Sequence, residues 1–128
     1  MVSTAQNQTL PPPTTQIAKL LTSYCFDTTT EDDLQRGIAT VLQNAGIVYK
    51  GEAVLTKADR IDFLVDGCGI EVKTAGAPNA VLRQLHRYAA SPKVKSLLLV
   101  TTRPQHNSLP DTLDGKPLQV LILFQSLL

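Results

Sequence analysis

The sequence has no tryptophan, and its large aromatics amount to three tyrosines and three phenylalanines. Its core must therefore rest on Leu, Val, Ile and Ala. Cysteine is scarce. Cys25 and Cys68 lie far apart and form neither a CxxC pair nor a zinc-ligand spacing, which reads as two reduced thiols rather than a disulfide framework. No apolar run approaches the ~20 residues needed to span a bilayer. The start of the chain has neither the basic residues nor the apolar stretch of a signal peptide. The expectation is a cytoplasmic protein with no membrane contact. An excess of one charge is also missing: 12 Lys and Arg face 11 Asp and Glu, for a formal net charge of +1. This argues against a uniformly basic nucleic-acid binder. A local basic face can still steer DNA.

What remains is an ordinary globular balance, 43% hydrophobic and 18% charged over 128 residues. That length fits one domain, able to bury a core without metal or disulfide staples. Met1 to Thr15 is rich in Thr, Gln and Pro, with Pro11, Pro12 and Pro13 in succession. This composition reads as a disordered or extended arm, followed by a single domain over residues 16–128.

Apolar residues at Ile17, Leu20, Leu21 and Tyr24 have helical spacing. A second helix is expected from Glu31 to about Asn44, with Leu34, Ile38, Val41 and Leu42 on its apolar stripe. Thr28 with Glu31 matches a capping box, and Thr30 before Asp33 is a second possible cap. Gly46 suits the position past its end. The pattern then turns to strands: Ile47 to Leu55, Arg60 to Val65, and Gly69 to Lys73. Ala80 to Ala90 has helical spacing. Leu97-Leu98-Leu99-Val100, within Lys95 to Thr101, is the continuous apolar run of a buried strand. Leu118 to Phe124 reads as a last strand. The expected order is α-α-β-β-β-α-β-β. It describes an α/β (α+β) fold with a mixed sheet and a helix crossing between the third and fourth strands.

Asp66-Gly67 is a hairpin signal. With a two-residue turn, Val65 meets Cys68, Leu64 meets Gly69, Phe63 meets Ile70, Asp62 meets Glu71 and Ile61 meets Val72. Alternation then puts Ile61, Phe63, Ile70 and Val72 on one face, and Asp62, Glu71 and Lys73 on the other. Opposed carboxylates have Cβ atoms about 5 Å apart. At an effective dielectric of ~20 two full charges there repel by roughly 3 kcal/mol. Lys73 relieves part of this, and a divalent cation relieves it more fully, since hard cations prefer carboxylate oxygens. The plainer alternative is a solvated salt-bridge cluster of Arg60, Asp62, Glu71 and Lys73.

Glu31 lies within about 20° of Ile38 and Leu42 at 100° per residue, so it faces inward. It can serve as a cap partner, as a site residue, or as both. Glu52 is a further acidic candidate, read as exposed. Gln84 and Tyr88, four apart, share a helix face, flanked by Arg83 and Arg87. That places a basic edge beside a polar one, suited to phosphates; the alternative is an ordinary solvated arginine face. His86 falls on the opposite side.

Asp62, then Glu71-Val72-Lys73, then Gln84-Leu85-His86-Arg87-Tyr88, resembles the PD-(D/E)XK nuclease superfamily, and the Gln-x-x-x-Tyr spacing resembles its RecB-like branch. The resemblance runs from about Glu31 to Val100. Ile61 stands where the family pattern often has Pro. The resemblance implies a restriction-endonuclease-like core and a Mg²⁺- or Mn²⁺-dependent hydrolase acting on DNA, an endonuclease of repair or recombination. It implies that Asp62, Glu71, the carbonyl of Val72 and Glu31 hold the metal. Lys73 would position the attacking water, with Gln84 and Tyr88 orienting Lys73 and the DNA backbone. Arg83 and Arg87 are the expected phosphate contacts, with Lys93, Lys95 and Arg103 as outer candidates. So short a chain favours structure-selective or nonspecific cutting. A Holliday-junction-resolvase-like homodimer and a non-catalytic nucleic-acid-binding module are the competing readings.

Overall fold

The computed structural model describes residues 13–124. Three helices, α1 (Pro13–Leu21), α2 (Glu31–Asn44) and α3 (Pro78–Ala89), enclose a mixed sheet. Its strands are β1 (Lys50–Val54), β2 (Arg60–Val65), β3 (Cys68–Lys73), β4 (Ser96–Thr101), β5 (Thr112–Leu113) and β6 (Lys116–Ile122), with a 3-10 turn, η1, over Pro104–Ser108. The spatial order is β1-β2-β3-β4-β6-β5. β1, β2 and β3 form an antiparallel meander, whereas β3–β4 and β4–β6 are parallel. The expected element order holds, with η1 and β5 added.

α1 begins at Pro13, three residues inside the expected arm, and Thr14 is already buried. Proline suits a first helical turn because its missing N–H would have no partner there. Residues 1–12 of the expected arm lie outside the described residues. α2 is capped by Thr30, whose hydroxyl accepts from the Asp33 backbone N–H at 3.0 Å. Glu31 is therefore the first helical residue, not the reciprocal partner of a Thr28 capping box.

The sheet separates two apolar layers. Ile17, Leu21, Leu34, Ile38 and Leu42 of α1 and α2 pack on Phe63, Val65, Ile70, Val72, Leu98 and Val100. On the other face, Val81, Leu85 and Tyr88 of α3 pack on Ala53, Ile61, Leu97 and Leu99. β4 is buried along its whole length, as a central parallel strand covered on both sides must be.

Asp66 and Gly67, with φ of +48° and +79°, form the expected primed turn, and the pairs Val65–Cys68, Leu64–Gly69 and Phe63–Ile70 follow. Beyond Phe63 the simple alternation fails. Ile61 joins the α3 layer while Phe63 joins the α1/α2 layer, so the two do not share a face as expected. The cause lies in the neighbouring strand. Glu52 of β1 takes a left-handed φ of +48° opposite Asp62, between the pairs Gly51–Phe63 and Ala53–Ile61. That kink turns the strand pair over, as a bulge does. Ile61 then lies across Gly69, where an added Cβ would come within 2.5 Å of Ile61 Cδ1 and 3.1 Å of Leu97 Cδ2. Only glycine leaves room for this crossing.

A second primed turn, Asp114-Gly115, has φ of +54° and +76° and joins β5 to β6. It has the same Asp-Gly signature as the first. The two residues of β5 were too few to produce a strand pattern in the sequence.

Candidate active site

The kink opens the β2–β3 ladder at Asp62 and Glu71, and their side chains take over its hydrogen bonds. Asp62 Oδ2 accepts from the Val72 backbone N–H at 2.8 Å, and Glu71 Oε1 accepts from the Asp62 N–H at 3.2 Å. A strand residue directs its N–H and C=O to the same side. The Val72 carbonyl therefore faces the gap that holds the Asp62 carboxylate.

Both acids are largely withdrawn from water. Burial pushes the Glu71 carboxyl up to about 8, with the Asp62 charge adding to the shift and Lys73 opposing it. Burial pushes Asp62 up to about 6, with the Val72 N–H opposing and the charges of Glu31 and Glu52 adding. Both shifts share a direction and a first cause, desolvation of the charged form.

α3 completes the opposite wall. Tyr88 O–H donates to Glu71 Oε2 at 3.3 Å, and Gln84 Nε2 donates to the Tyr88 oxygen at 2.7 Å. Lys73 Nζ is 3.6 Å from the same Glu71 Oε2. Burial and the Glu71 charge push the Tyr88 phenol well above its ordinary range, so it stays a donor at all working pH values. From the other side of the sheet, Glu31 Oε1 accepts from the Thr74 N–H at 3.1 Å, just past β3. The structure thus joins Asp62, Glu71, Val72, Lys73, Gln84 and Tyr88 in one set of contacts, and Glu31 adds to it through Thr74 and its charge on Asp62. Glu52 joins them through its charge on Asp62.

The basic residues divide. Arg87 Nε is 3.1 Å from Asp59 Oδ1 and ties α3 to the turn before β2. Lys93 Nζ donates to the Val54 carbonyl at 2.9 Å, at the end of the β1 edge. Lys95 stands beside the Asp66-Gly67 turn, its backbone N–H donating to the Gly67 carbonyl. That is the far end of β3 from Lys73, roughly 17 Å away for a strand of this length. Arg83 is exposed on α3, and Arg103 is exposed just past Thr101, the β4 partner of Lys73. His86 is exposed and takes no part.

A cavity of about 620 Å³ lies elsewhere, lined by Ile17, Ile47, Tyr49 and Leu64 among others. Asp62 and Glu52 border a shallow groove of about 240 Å³ with Gln35 and Arg36. An open groove accepts a polymer backbone more readily than a small molecule.

A residue that sequence reasoning passed over is His106, which is fully buried. Its ring contacts the Thr101 hydroxyl and the Gly76 carbonyl, each at 2.7 Å. It lies in a loop without periodicity, and no spacing pattern links it to either partner. Both cysteines are free, Cys25 exposed and Cys68 buried.

No family model, curated protein or solved structure matches the chain.

Proposed function

We propose that the protein is a metal-dependent nuclease of the PD-(D/E)XK type, with a restriction-endonuclease-like core, hydrolysing DNA phosphodiester bonds. The observation that carries this reading is the opened hairpin. Asp62, half-buried, and Glu71, buried, face each other across it, with the Lys73 ammonium beside Glu71. A solvated salt-bridge face does not account for that burial, because an unneeded buried carboxylate pair is costly.

The donor set fits a hard cation: carboxylates from Glu31, Asp62 and Glu71, and the carbonyl of Val72. Among the described residues, no three acidic, His or Cys side chains are drawn together tightly enough to hold a metal in this conformation. The reason is visible in the hydrogen bonds: each carboxylate is turned onto a backbone N–H, of Val72, Asp62 or Thr74. Loading would exchange some of those contacts for the cation. Bound there, Mg²⁺ or Mn²⁺ would supply a Lewis acid that acidifies water and offsets phosphate charge. Lys73 would hold the attacking water or the charge developing on the phosphate. Tyr88, fixed by Gln84, holds Glu71 in place. Among the described residues, Arg83 and Arg103 are exposed cations placed to meet phosphates, with Arg87 behind them.

Labelled duplex, single-stranded, flap and four-way-junction DNAs, incubated with Mg²⁺ or Mn²⁺, provide the test. Cutting abolished by EDTA and by Lys73→Ala supports the nuclease, and the preferred substrate separates nonspecific from junction-selective action. DNA binding that is indifferent to metal, with no cutting, would instead make the chain a binding module.

A further inference from the structure

The loop between Lys73 and α3 holds a second arrangement that the hairpin does not explain. α3 starts on Pro78 but has no capping side chain: its N-cap is Ala77, which cannot cap it. Capping side chains ordinarily fix a helix start and contribute about 0.5–2 kcal/mol. Here the loop is held from outside. Glu31 accepts from the Thr74 N–H on one side. His106 reaches the Gly76 carbonyl on the other.

One end of the His106 ring is fixed by its partner. A backbone carbonyl can only accept, so Nε2 carries the hydrogen and donates to Gly76. Nδ1 meets the Thr101 hydroxyl at 2.7 Å, and that oxygen accepts from the Arg103 backbone N–H at 3.0 Å. Every buried side-chain polar atom of this cluster has a partner. Thr101 is paired with Lys73 across the β3–β4 ladder, and the Thr102 N–H donates to the Lys73 carbonyl at 3.2 Å. His106 therefore spans from the strand partner of Lys73 to the loop that launches α3. Gly76 itself has φ of +107°, a backbone shape that other residues rarely adopt, and an added Cβ would press on Val81 Cγ2 at 3.2 Å. The loop has one shape, and His106 holds its carbonyl in it.

We propose that His106 is a positioning residue that, through Gly76, sets α3 against β3 so that Gln84 and Tyr88 meet Glu71 beside Lys73. Its catalytic consequence rests on the nuclease reading above. A purely packing role would be met by an apolar side chain of similar volume, without a buried network that must be satisfied at both ends.

Two substitutions separate the ends of the ring. His106→Gln keeps an amide N–H that reaches Gly76. His106→Asn keeps an acceptor for Thr101 and falls short of Gly76. The measurements are amide hydrogen exchange at residues 74–77, the NMR ring signals of Tyr88, and kcat and KM for the preferred DNA. In His106→Asn, exchange at the loop rises about tenfold, the Tyr88 signals move, and kcat drops about tenfold at little-changed KM, as loss of one buried hydrogen bond predicts. His106→Gln restores all three. Equal behaviour of the two folded variants overturns the proposal, as does a freed loop with unmoved Tyr88 signals. Wild-type protein that cuts no DNA overturns the nuclease reading instead. The exchange and Tyr88 contrasts between the variants then still decide whether His106 sets α3.

Discussion

Asp62 and Glu71 replace the backbone ladder between their strands: the carboxylate of each accepts an N–H, Asp62 from Val72 at 2.8 Å and Glu71 from Asp62 at 3.2 Å. Simple cross-strand pairing would leave these acids side by side on a pleated surface. Opening the ladder turns their oxygens inward, beside the Val72 carbonyl, where water is scarce.

The metal-free protein should lose stability as pH rises. Burial holds the carboxyls of Asp62 and Glu71 protonated up to about 6 and about 8, whereas unfolded carboxyls titrate near 4. The folded state therefore binds more protons than the unfolded chain through that window, so the contribution is present at low pH and lost as pH climbs through the folded values. Melting in EDTA should show Tm falling between about pH 5 and pH 8. Added Mg²⁺ should raise Tm more at the alkaline end, because protons and metal compete for the same oxygens. A Tm in EDTA that is flat across this range would count against buried, protonated acids.

Tyr88→Phe removes the donor to Glu71 Oε2 and leaves Gln84 without its acceptor. That hydrogen bond favours the charged carboxylate, so without it Glu71 titrates still higher. The acid limb of the pH–rate profile should move to higher pH, and kcat at neutral pH should fall about tenfold. An unmoved limb would mean that Tyr88 acts on something other than Glu71.

Glu71→Gln and Lys73→Ala should each lower cleavage at least about a hundredfold, the scale of a lost transition-state charge contact. Both proteins should remain folded by circular dichroism. Glu71→Gln should also lose the Mg²⁺-dependent rise in Tm, whereas Lys73→Ala should keep it, since Lys73 is not a metal ligand. Retention of the rise in Glu71→Gln would move the metal elsewhere.

Gly69→Ala tests the crossing of β2. A methyl group there meets Ile61 Cδ1 and Leu97 Cδ2, both fully buried. Overpacking of this kind costs about 1–3 kcal/mol. Urea unfolding should show that loss, and Gly69→Ala with Ile61→Val should recover part of it. Additive losses in the double variant would mean that the two residues do not press on each other.

Arg87→Ala should affect α3 more than DNA. Its guanidinium is tied to Asp59 but remains about half exposed, and such pairs contribute about 0–1 kcal/mol. Arg83→Ala and Arg103→Ala should weaken DNA binding and flatten its salt dependence by about one phosphate contact each. Binding measured against salt concentration would rank the three, and a larger slope change at Arg87 would restore it as a primary phosphate contact.

The sequence by itself determined the element order apart from η1 and β5, the Asp66-Gly67 turn and the register as far as Phe63–Ile70. Those features follow from local periodicity and from a dipeptide that accepts positive φ. It also determined that Glu31 faces inward and that Gln84 and Tyr88 share a side, since both follow from helical angles. Tertiary structure decided what alternation could not. A left-handed Glu52 on the neighbouring strand turned Ile61 away from Phe63 and opened the ladder at Asp62. Asp59 drew off Arg87, and Glu31 found Thr74 forty-three positions away. His106 reached Gly76 from a loop with no pattern to announce it. All of these are contacts between different elements, which local periodicity does not report; those of Glu31 and His106 join segments far apart in sequence, and the satisfaction of their buried polar partners exists only once the chain has closed around them.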